Sequence, residues 1–351
     1  MGKRIVIMAG GTGGHVFPAL AVAQWLIENG WQVSWLGTHK GLESKVVPEN
    51  EIEIDWLSVT GVRGKGVLSK VISGFKLIQA CGQALAILRR RKPDVVLGMG
   101  GFVAGPGGLM ARLLRIPLVI HEQNRVAGTT NRLLGKIANQ VLEAFPNSFK
   151  KEFNAKCTGN PLRKQFQNLP EAKAKFDQHS LRLLVIGGSQ GAQVLNEFIP
   201  DALVSINDLE VKHQTGTAMQ EQVARRYQEL GVKAEATAFI QDMVSAYQWA
   251  DMIICRAGAM TVSEVSAMAL PAILIPLPNA IDDHQMANAR YLSDAGAGMI
   301  LPQKDLNTKN LIELITKAQQ QLDVMTKAAK QCARMDATEV VAQFCISEAS
   351  R

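Results

Sequence analysis

Two segments of this chain repeat one order of residues, an apolar run that turns through glycines into a helix-forming stretch, and this repeat constrains the fold more than any other feature. In the first, Ile5-Val6-Ile7-Met8 leads to Ala9-Gly10-Gly11-Thr12-Gly13-Gly14-His15 and, with Pro18 as first helical residue, to a helix over 19–29 closed by Gly30. In the second, Leu183-Leu184-Val185-Ile186 leads to Gly187-Gly188-Ser189-Gln190-Gly191-Ala192 and a helical run toward Phe198. Further strands are expected over 31–36, 94–97 and 117–120, then over 211–214, 252–255, 272–275 and 298–301, each separated by enough chain for a crossover helix. The expected fold class is α/β, with two doubly wound parallel-sheet domains facing a cleft at the carboxyl ends of their strands, where such sheets bind ligands. The boundary is expected near Thr158-Gly159-Asn160-Pro161, giving domains 1–160 and 161–335 and a C-terminal helix, about 336–351, that packs back on the first.

A glycine turn between strand and helix lets backbone amides approach an anion, and the helix N-terminus adds roughly half a positive charge. Phosphate binding follows, although such glycines also serve tight packing alone. Neither loop fits a nicotinamide dinucleotide: after Gly11 and Gly13 the third glycine position holds Val16, and no ribose-binding acid stands at Leu36-Gly37-Thr38. No Gly-Lys-Ser/Thr follows either loop, which argues against ATP hydrolysis of the Walker type. A third glycine group, Gly98-Met99-Gly100-Gly101 followed by Gly105-Pro106-Gly107-Gly108, leaves the N-terminal half with two such edges and the C-terminal half with one. A diphosphate on each side of the cleft would use all three.

Charge divides as the loops do: residues 1–160 carry +10 and residues 161–351 carry −3. A basic half suits nucleic acid, an anionic membrane or a phosphorylated substrate, and charge alone does not choose among them. The five cysteines are far apart, without a CxxC pair or a nearby histidine at metal-ligand spacing, so a reducing compartment and no structural metal are expected. The N-terminus runs directly into a strand-like segment with no signal-peptide core. The uncharged stretch 95–111 contains Pro106 and six glycines, and reads as a loop between strand and helix, not a membrane span.

Six motifs in order, Gly10-Gly11-Thr12-Gly13-Gly14-His15, Gly98-Met99-Gly100-Gly101, His121-Glu122-Gln123-Asn124, Gly159-Asn160-Pro161-Leu162-Arg163, Gly187-Gly188-Ser189-Gln190-Gly191-Ala192 and Arg256-Ala257-Gly258-Ala259-Met260-Thr261-Val262-Ser263-Glu264, resemble the MurG family of cell-wall N-acetylglucosaminyltransferases. The resemblance covers nearly the whole chain. It implies the GT-B fold of two Rossmann-like domains. It implies inverting transfer of N-acetylglucosamine from UDP-N-acetylglucosamine to the muramoyl 4-hydroxyl of undecaprenyl-diphospho-N-acetylmuramoyl-pentapeptide, a membrane step of peptidoglycan synthesis tied to cell shape and division. The implied place is peripheral, on the cytoplasmic face of the bacterial inner membrane, with cell-wall synthesis proteins as expected partners and no cofactor.

The resemblance places UDP on the C-terminal domain, with Ser189 at the diphosphate, Ile240 at the uracil, and Ala259, Met260, Thr261, Val262, Ser263 and Glu264 around the nucleotide. Ser189 also suits a helix N-cap. Thr261 and Glu264 also fit a capping box, whereas the family places Glu264 on the ribose hydroxyls, for which a carboxylate is a good acceptor. Gln285 resembles a glutamine that recognises the donor sugar, and Asn124 a donor contact from the opposite domain. Arg163 suits the diphosphate charge, with a surface salt bridge as its bland alternative. Thr12, Gly13 and Gly14 are the substrate-binding candidates of the first loop. The attacking hydroxyl needs a base, and because imidazoles in general exchange protons near neutral pH His15 is the candidate, although it also suits a helix cap or the acceptor diphosphate. Glu122 is the competing base, or a partner that orients an imidazole; His121 reads as structural. No Asp-x-Asp stands here, Asp282 and Asp283 being adjacent, so helix dipole and Arg163 are expected in place of a metal ion.

Leu109, Met110, Leu113 and Leu114 share a helical stripe beside Arg112 and Arg115, near Ile116, Arg63, Lys65, Lys70 and the run Arg89-Arg90-Arg91-Lys92. Either the stripe docks on an anionic membrane, as a lipid-linked acceptor favours, or it packs against its own sheet. Two rival readings remain: a UDP-N-acetylglucosamine 2-epimerase using similar loops, against which the basic half argues mildly, and a nucleic-acid module, for which no motif or aromatic interleaving appears.

Overall fold

Two parallel sheets organise the computed structural model, which describes residues 2–58, 67–166, 180–188, 192–278 and 283–351. The chain divides into a unit of Met1–Lys164 with Met335–Arg351 and a unit of Gln165–Arg334.

The first unit runs β1 (Arg4–Met8), α1 (Gly13–Glu28), β2 (Gln32–Gly37), α2 (Glu43–Glu49), β3 (Glu53–Trp56), α3 (Val67–Arg91), β4 (Val95–Gly98), α4 (Ala104–Leu113), β5 (Leu118–Glu122), α5 (Thr129–Leu134), β6 (Gln140–Glu143) and β7 (Lys156–Cys157). Its strands lie in the order β3-β2-β1-β4-β5-β6-β7, with every pairing parallel. The apolar run of β1 does not alternate because both its faces are covered. Ile5 and Ile7 join a core with Val16, Ala19, Val22 and Leu26 of α1, while Val6 and Met8 join one with Ala84 and Leu88 of α3 and Ala104 and Ala111 of α4.

Strand order reverses between β1 and β4, so the two glycine loops at their carboxyl ends flank the crevice where an open α/β sheet takes its ligand. Trp35, wholly buried, donates its indole N–H to the Ala9 carbonyl at the start of the first loop, 2.8 Å. Glu43, buried under that loop, accepts from the Gly11 amide at 2.9 Å with one oxygen and from Thr38 N and Oγ1 at 2.9 and 2.8 Å with the other. The loop is therefore clamped at both ends.

Two local expectations change. Pro18 is not the first helical residue but lies inside α1, which starts a turn earlier because the Thr12 carbonyl accepts from the amides of His15 and Val16, both at 3.1 Å. That extra turn carries His15. The stretch 95–111 is also not all loop: α4 starts at Ala104 and includes Gly105, Pro106, Gly107 and Gly108. These glycines weaken a helix in isolation, but here they let it seat closely, since a Cβ on Gly107 would stand 2.2 Å from Met8 Sδ and one on Gly108 2.9 Å from Leu134.

The second unit runs β8 (Leu181–Ile186), α6 (Gln193–Leu203), β9 (Leu209–Gln214), α7 (Gln220–Glu229), β10 (Ala234–Thr237), α8 (Met243–Trp249), β11 (Met252–Cys255), α9 (Ala259–Ala267), β12 (Ala272–Leu274), α10 (His284–Asp294), β13 (Gly298–Ile300), α11 (Thr308–Gln319) and α12 (Leu322–Cys332). Its sheet, β10-β9-β8-β11-β12-β13, is again parallel and reverses between β8 and β11. The last helix, α13 (Ala337–Glu348), belongs to the first unit, where Val341, Ala342 and Cys345 enter the core beside α1. All five cysteines are free thiols.

Candidate active site

In the first unit, three chain segments converge on His15. It stands in the first turn of α1, half-buried, with its Nδ1 2.8 Å from Gln123 Oε1 just beyond β5. The second glycine loop passes against the same ring: a Cβ on Gly100 would lie 2.9 Å from His15 Cε1. Gly101, at φ +79°, brings that loop over the first, and a Cβ there would stand 2.4 Å from the Gly10 carbonyl oxygen. Only glycine permits both approaches at once.

The segment His121-Glu122-Gln123-Asn124 splits by strand alternation, which sends 121 and 123 to one side and 122 to the other. His121 is fully buried and gives Nε2 to the Gly159 carbonyl at 2.9 Å; burial pushes its pKa down to about 4. Gln123 Nε2 lies 3.0 Å from His121 Nδ1 and 3.1 Å from the His121 carbonyl oxygen. Glu122 is also buried, and its carboxylate accepts from Asn124 N and Nδ2 at 3.0 and 3.2 Å, Gly128 N at 3.0 Å and Asn131 Nδ2 at 2.9 Å. The side chain bonded to the His15 ring is thus that of Gln123, while the Glu122 carboxylate bonds residues 124, 128 and 131. Arg163 belongs to this unit, its guanidinium 5.6 Å from the centre of the Phe17 ring on α1.

In the second unit, Ser189 lies outside the described residues, and α6 takes Ala192 as its N-cap. Gly188, at φ +96°, ends the described part of that loop. Its carbonyl accepts from Gln214 Nε2 at 2.9 Å, and Gln214 Oε1 accepts from the Ile240 amide at 3.1 Å. Gln214, at the carboxyl end of β9, therefore joins the glycine loop to the candidate uracil residue. In the sequence, a polar residue closing a strand carries no signal of its own.

Helix α9 follows β11 directly with Gly258 as its extended N-cap. That placement removes the capping box: Thr261 is the third helical residue, and Glu264 lies too far along to reach back to the N-cap amide. The Glu264 carboxylate instead accepts from the Tyr247 hydroxyl on α8, 3.0 Å. The amides of 259–261 belong to the first turn of α9, which follows the carboxyl end of β11 at the switch point between β8 and β11. Val262 is wholly buried, and the Ser263 hydroxyl donates back to the Ala259 carbonyl at 3.0 Å. Arg256, 8% exposed, ties β11 to the next strand end through Ile275 O at 3.0 Å and Gln303 Oε1 at 2.7 Å. Gln285, in the first turn of α10, accepts from the Leu277 amide at 2.9 Å. Asp283 precedes it with φ +53°, and Asp282 lies outside the described residues.

Two parallel α/β units, each with a glycine loop at its own switch point, are the architecture of the GT-B fold. The N-terminal domain model of glycosyltransferase family 28 matches residues 5–143, and the C-terminal domain model of that family matches 182–344. A Methylococcus capsulatus protein described as UDP-N-acetylglucosamine--N-acetylmuramyl-(pentapeptide) pyrophosphoryl-undecaprenol N-acetylglucosamine transferase is 55% identical, over 99% of each chain. A Shewanella sp. (strain ANA-3) protein of the same description is 46% identical over 100% of this chain and 99% of its own. Among solved structures, Acinetobacter baumannii MurG superposes with a TM-score of 0.84 at 40% identity, covering 98% of this chain and 99% of its own. The chain belongs to glycosyltransferase family 28 and, within it, to the MurG family. A UDP-GlcNAc 2-epimerase from Neisseria meningitidis, at 14% identity and a TM-score of 0.67, shares the fold alone.

Proposed function

We propose that this chain transfers N-acetylglucosamine from UDP-N-acetylglucosamine to the muramoyl 4-hydroxyl of the undecaprenyl-linked pentapeptide acceptor, with inversion at the donor carbon. The observation that carries this reading is full-length identity of 55% to a relative so described, with glycine loops at the switch point of each sheet. The same reading accounts for peptidoglycan synthesis as the process served, and for cell shape, division and other cell-wall proteins as its setting. Radiolabelled UDP-N-acetylglucosamine with a short-chain analogue of the lipid acceptor tests it: label enters the lipid product only when both are present. Label released or epimerised from donor alone would support a hydrolase or epimerase instead.

In this reading the C-terminal unit holds the donor. The 259–261 amides and the loop of Gly188 and Ser189 face its diphosphate, Ile240 its uracil, Glu264 its ribose and Gln285 its sugar hydroxyls. Arg163 and Asn124, on the N-terminal unit, supply further donor contacts. Helix dipoles and Arg163 stand in for a metal ion at the diphosphate. Thr12, Gly13 and Gly14 take the acceptor diphosphate at the start of α1, and His15 removes the proton from the attacking hydroxyl. Glu122 is the weaker candidate, since four donors already occupy its buried carboxylate and tie it to its own loop.

We place the membrane-facing surface on α3 and α4 of the basic unit. The stripe on α4 divides: Met110 and Leu114 pack into the core, while Leu109 and Leu113 are exposed, Leu113 at 67%. Phe75 and Ile78 on the neighbouring α3 are each 71% exposed. The cationic supply is narrower than the sequence suggests, because Arg90 and Arg91 pair with Asp55 and Glu53. Arg89, Lys92, Lys76, Arg112 and Arg115 remain at the surface, whereas Arg63, Lys65 and the Lys70 side chain lie outside the described residues. No helix among the described residues is long and apolar enough to cross a membrane. A Leu109→Ser/Leu113→Ser variant is expected to lower sedimentation with anionic vesicles about tenfold, given roughly 1.5–3 kcal/mol per fully buried leucine. Salt should weaken the wild-type interaction as well. Equal binding to neutral and anionic vesicles by wild type and variant alike would remove this surface.

A further inference from the structure

The hydrogen bonds behind His15 form a continuous line whose proton positions are forced by two backbone carbonyls. A carbonyl oxygen only accepts, so the end of the Gln123 amide that lies 3.1 Å from the His121 carbonyl must be the NH2 group. The opposite end is then the amide oxygen, which also only accepts, and the His15 Nδ1 at 2.8 Å from it must carry hydrogen. The second carbonyl fixes the other ring. His121 Nε2 faces Gly159 O at 2.9 Å and must be the protonated nitrogen, which leaves Nδ1 of that ring to accept from Gln123 Nε2 at 3.0 Å. The Gln123 backbone is held as well, its main-chain carbonyl accepting from the Asn160 side-chain Nδ2 at 3.0 Å. Every polar end of the Gln123 side chain is therefore used, and a flipped amide would set oxygen against oxygen.

We propose that Gln123, backed by His121 and Gly159, is a positioning residue that locks His15 in the tautomer protonated on Nδ1, so that Nε2 presents its lone pair to the acceptor hydroxyl. The inference rests on His15 being the base. In free neutral imidazole either nitrogen carries the proton, and a base held in the wrong tautomer has no lone pair where the reaction needs it. A buried neutral histidine suits the supporting role, because an imidazolium at position 121 would turn Nδ1 into a donor facing the Gln123 NH2. Burial keeps His121 neutral above about pH 4. Adjacent residues of one segment thus divide the work: 121 and 123 set a tautomer, and 122 holds the loop.

Nitrogen NMR of histidine-labelled full-length protein reads the tautomer without reference to activity, and the signals missing from His15→Ala identify those of His15. The expected wild-type pattern is Nδ1–H for His15 and Nε2–H for His121. Gln123→Met, similar in length and lacking both polar ends, should move His15 toward the other tautomer. It should lower kcat about tenfold or more while the KM for either substrate stays within about twofold. A wild-type His15 protonated on Nε2 overturns the proposal whether or not Gln123→Met folds, as does a Gln123→Met protein with unchanged tautomer and kcat. Full turnover by His15→Ala would instead remove the base assignment and leave the measured tautomer standing.

Discussion

Alanine at position 15 should reduce turnover by roughly 10²–10⁴-fold, the usual contribution of a positioned general base, while UDP affinity by calorimetry stays within about twofold. The separation follows from the fold. His15 lies on the first unit, between the glycine loops after β1 and β4, whereas the proposed nucleotide contacts Ile240 and Glu264 belong to the second. The cost in stability should be modest. The ring is half-buried and hydrogen-bonds Gln123 through Nδ1, so removal leaves one amide oxygen less well satisfied, a loss of about 1–3 kcal/mol. A large fall in kcat with a small fall in melting temperature is therefore the expected pattern. Near-native turnover would exclude His15 and return attention to Glu122.

The strands that carry the glycine loops were legible because both their faces are buried: Ile5 to Met8 and Leu183 to Ile186 are unbroken apolar runs that only a covered strand tolerates. Outer strands lack that pressure. Glu53-Ile54-Asp55-Trp56 in β3 and Ala234-Glu235-Ala236-Thr237 in β10 lie at sheet edges, and β6 and β7 close the other end of the first sheet with four and two residues. Their pairing is set by neighbours distant in sequence, so local pattern does not announce them. The site divides in the same way. His15 was legible as a histidine after a glycine loop, but Gln123, Gln214 and Glu43 were not, because each acts by bonding a loop that sequence separation hides. Gln214 spans 26 residues to reach both Gly188 and Ile240, and Glu43 spans 32 to reach Gly11. The capping alternative for Glu264 fails for a related reason. Thr261 through Glu264 match a cap in composition, but Gly258 already starts the helix three residues earlier.

Glu264 carries the second large effect. Since α9 is capped without it, glutamate there is free of a helix-starting task, and alanine is an equally good or better helix former. What alanine does remove is the acceptor of the Tyr247 hydroxyl, and Tyr247 is 1% exposed, so Glu264→Ala should also lower stability by about 1–3 kcal/mol. Glutamine separates the two effects. It keeps an oxygen for Tyr247 and loses only the negative charge that makes a carboxylate a strong acceptor for a pair of ribose hydroxyls. Hydrogen bonds to a charged group contribute about 1.5–3 kcal/mol, so Glu264→Gln is expected to weaken UDP binding roughly 10- to 100-fold at nearly wild-type melting temperature. Glu264→Ala should weaken it at least as much and melt earlier. The comparison with deoxy-ribose nucleotides sharpens the result: 2′-deoxy-UDP should already bind poorly to wild type and lose little more on mutation. If Glu264→Gln binds UDP as wild type does, the carboxylate serves only to hold Tyr247 and the helix pair α8 and α9, and the ribose must be recognised elsewhere on the second unit.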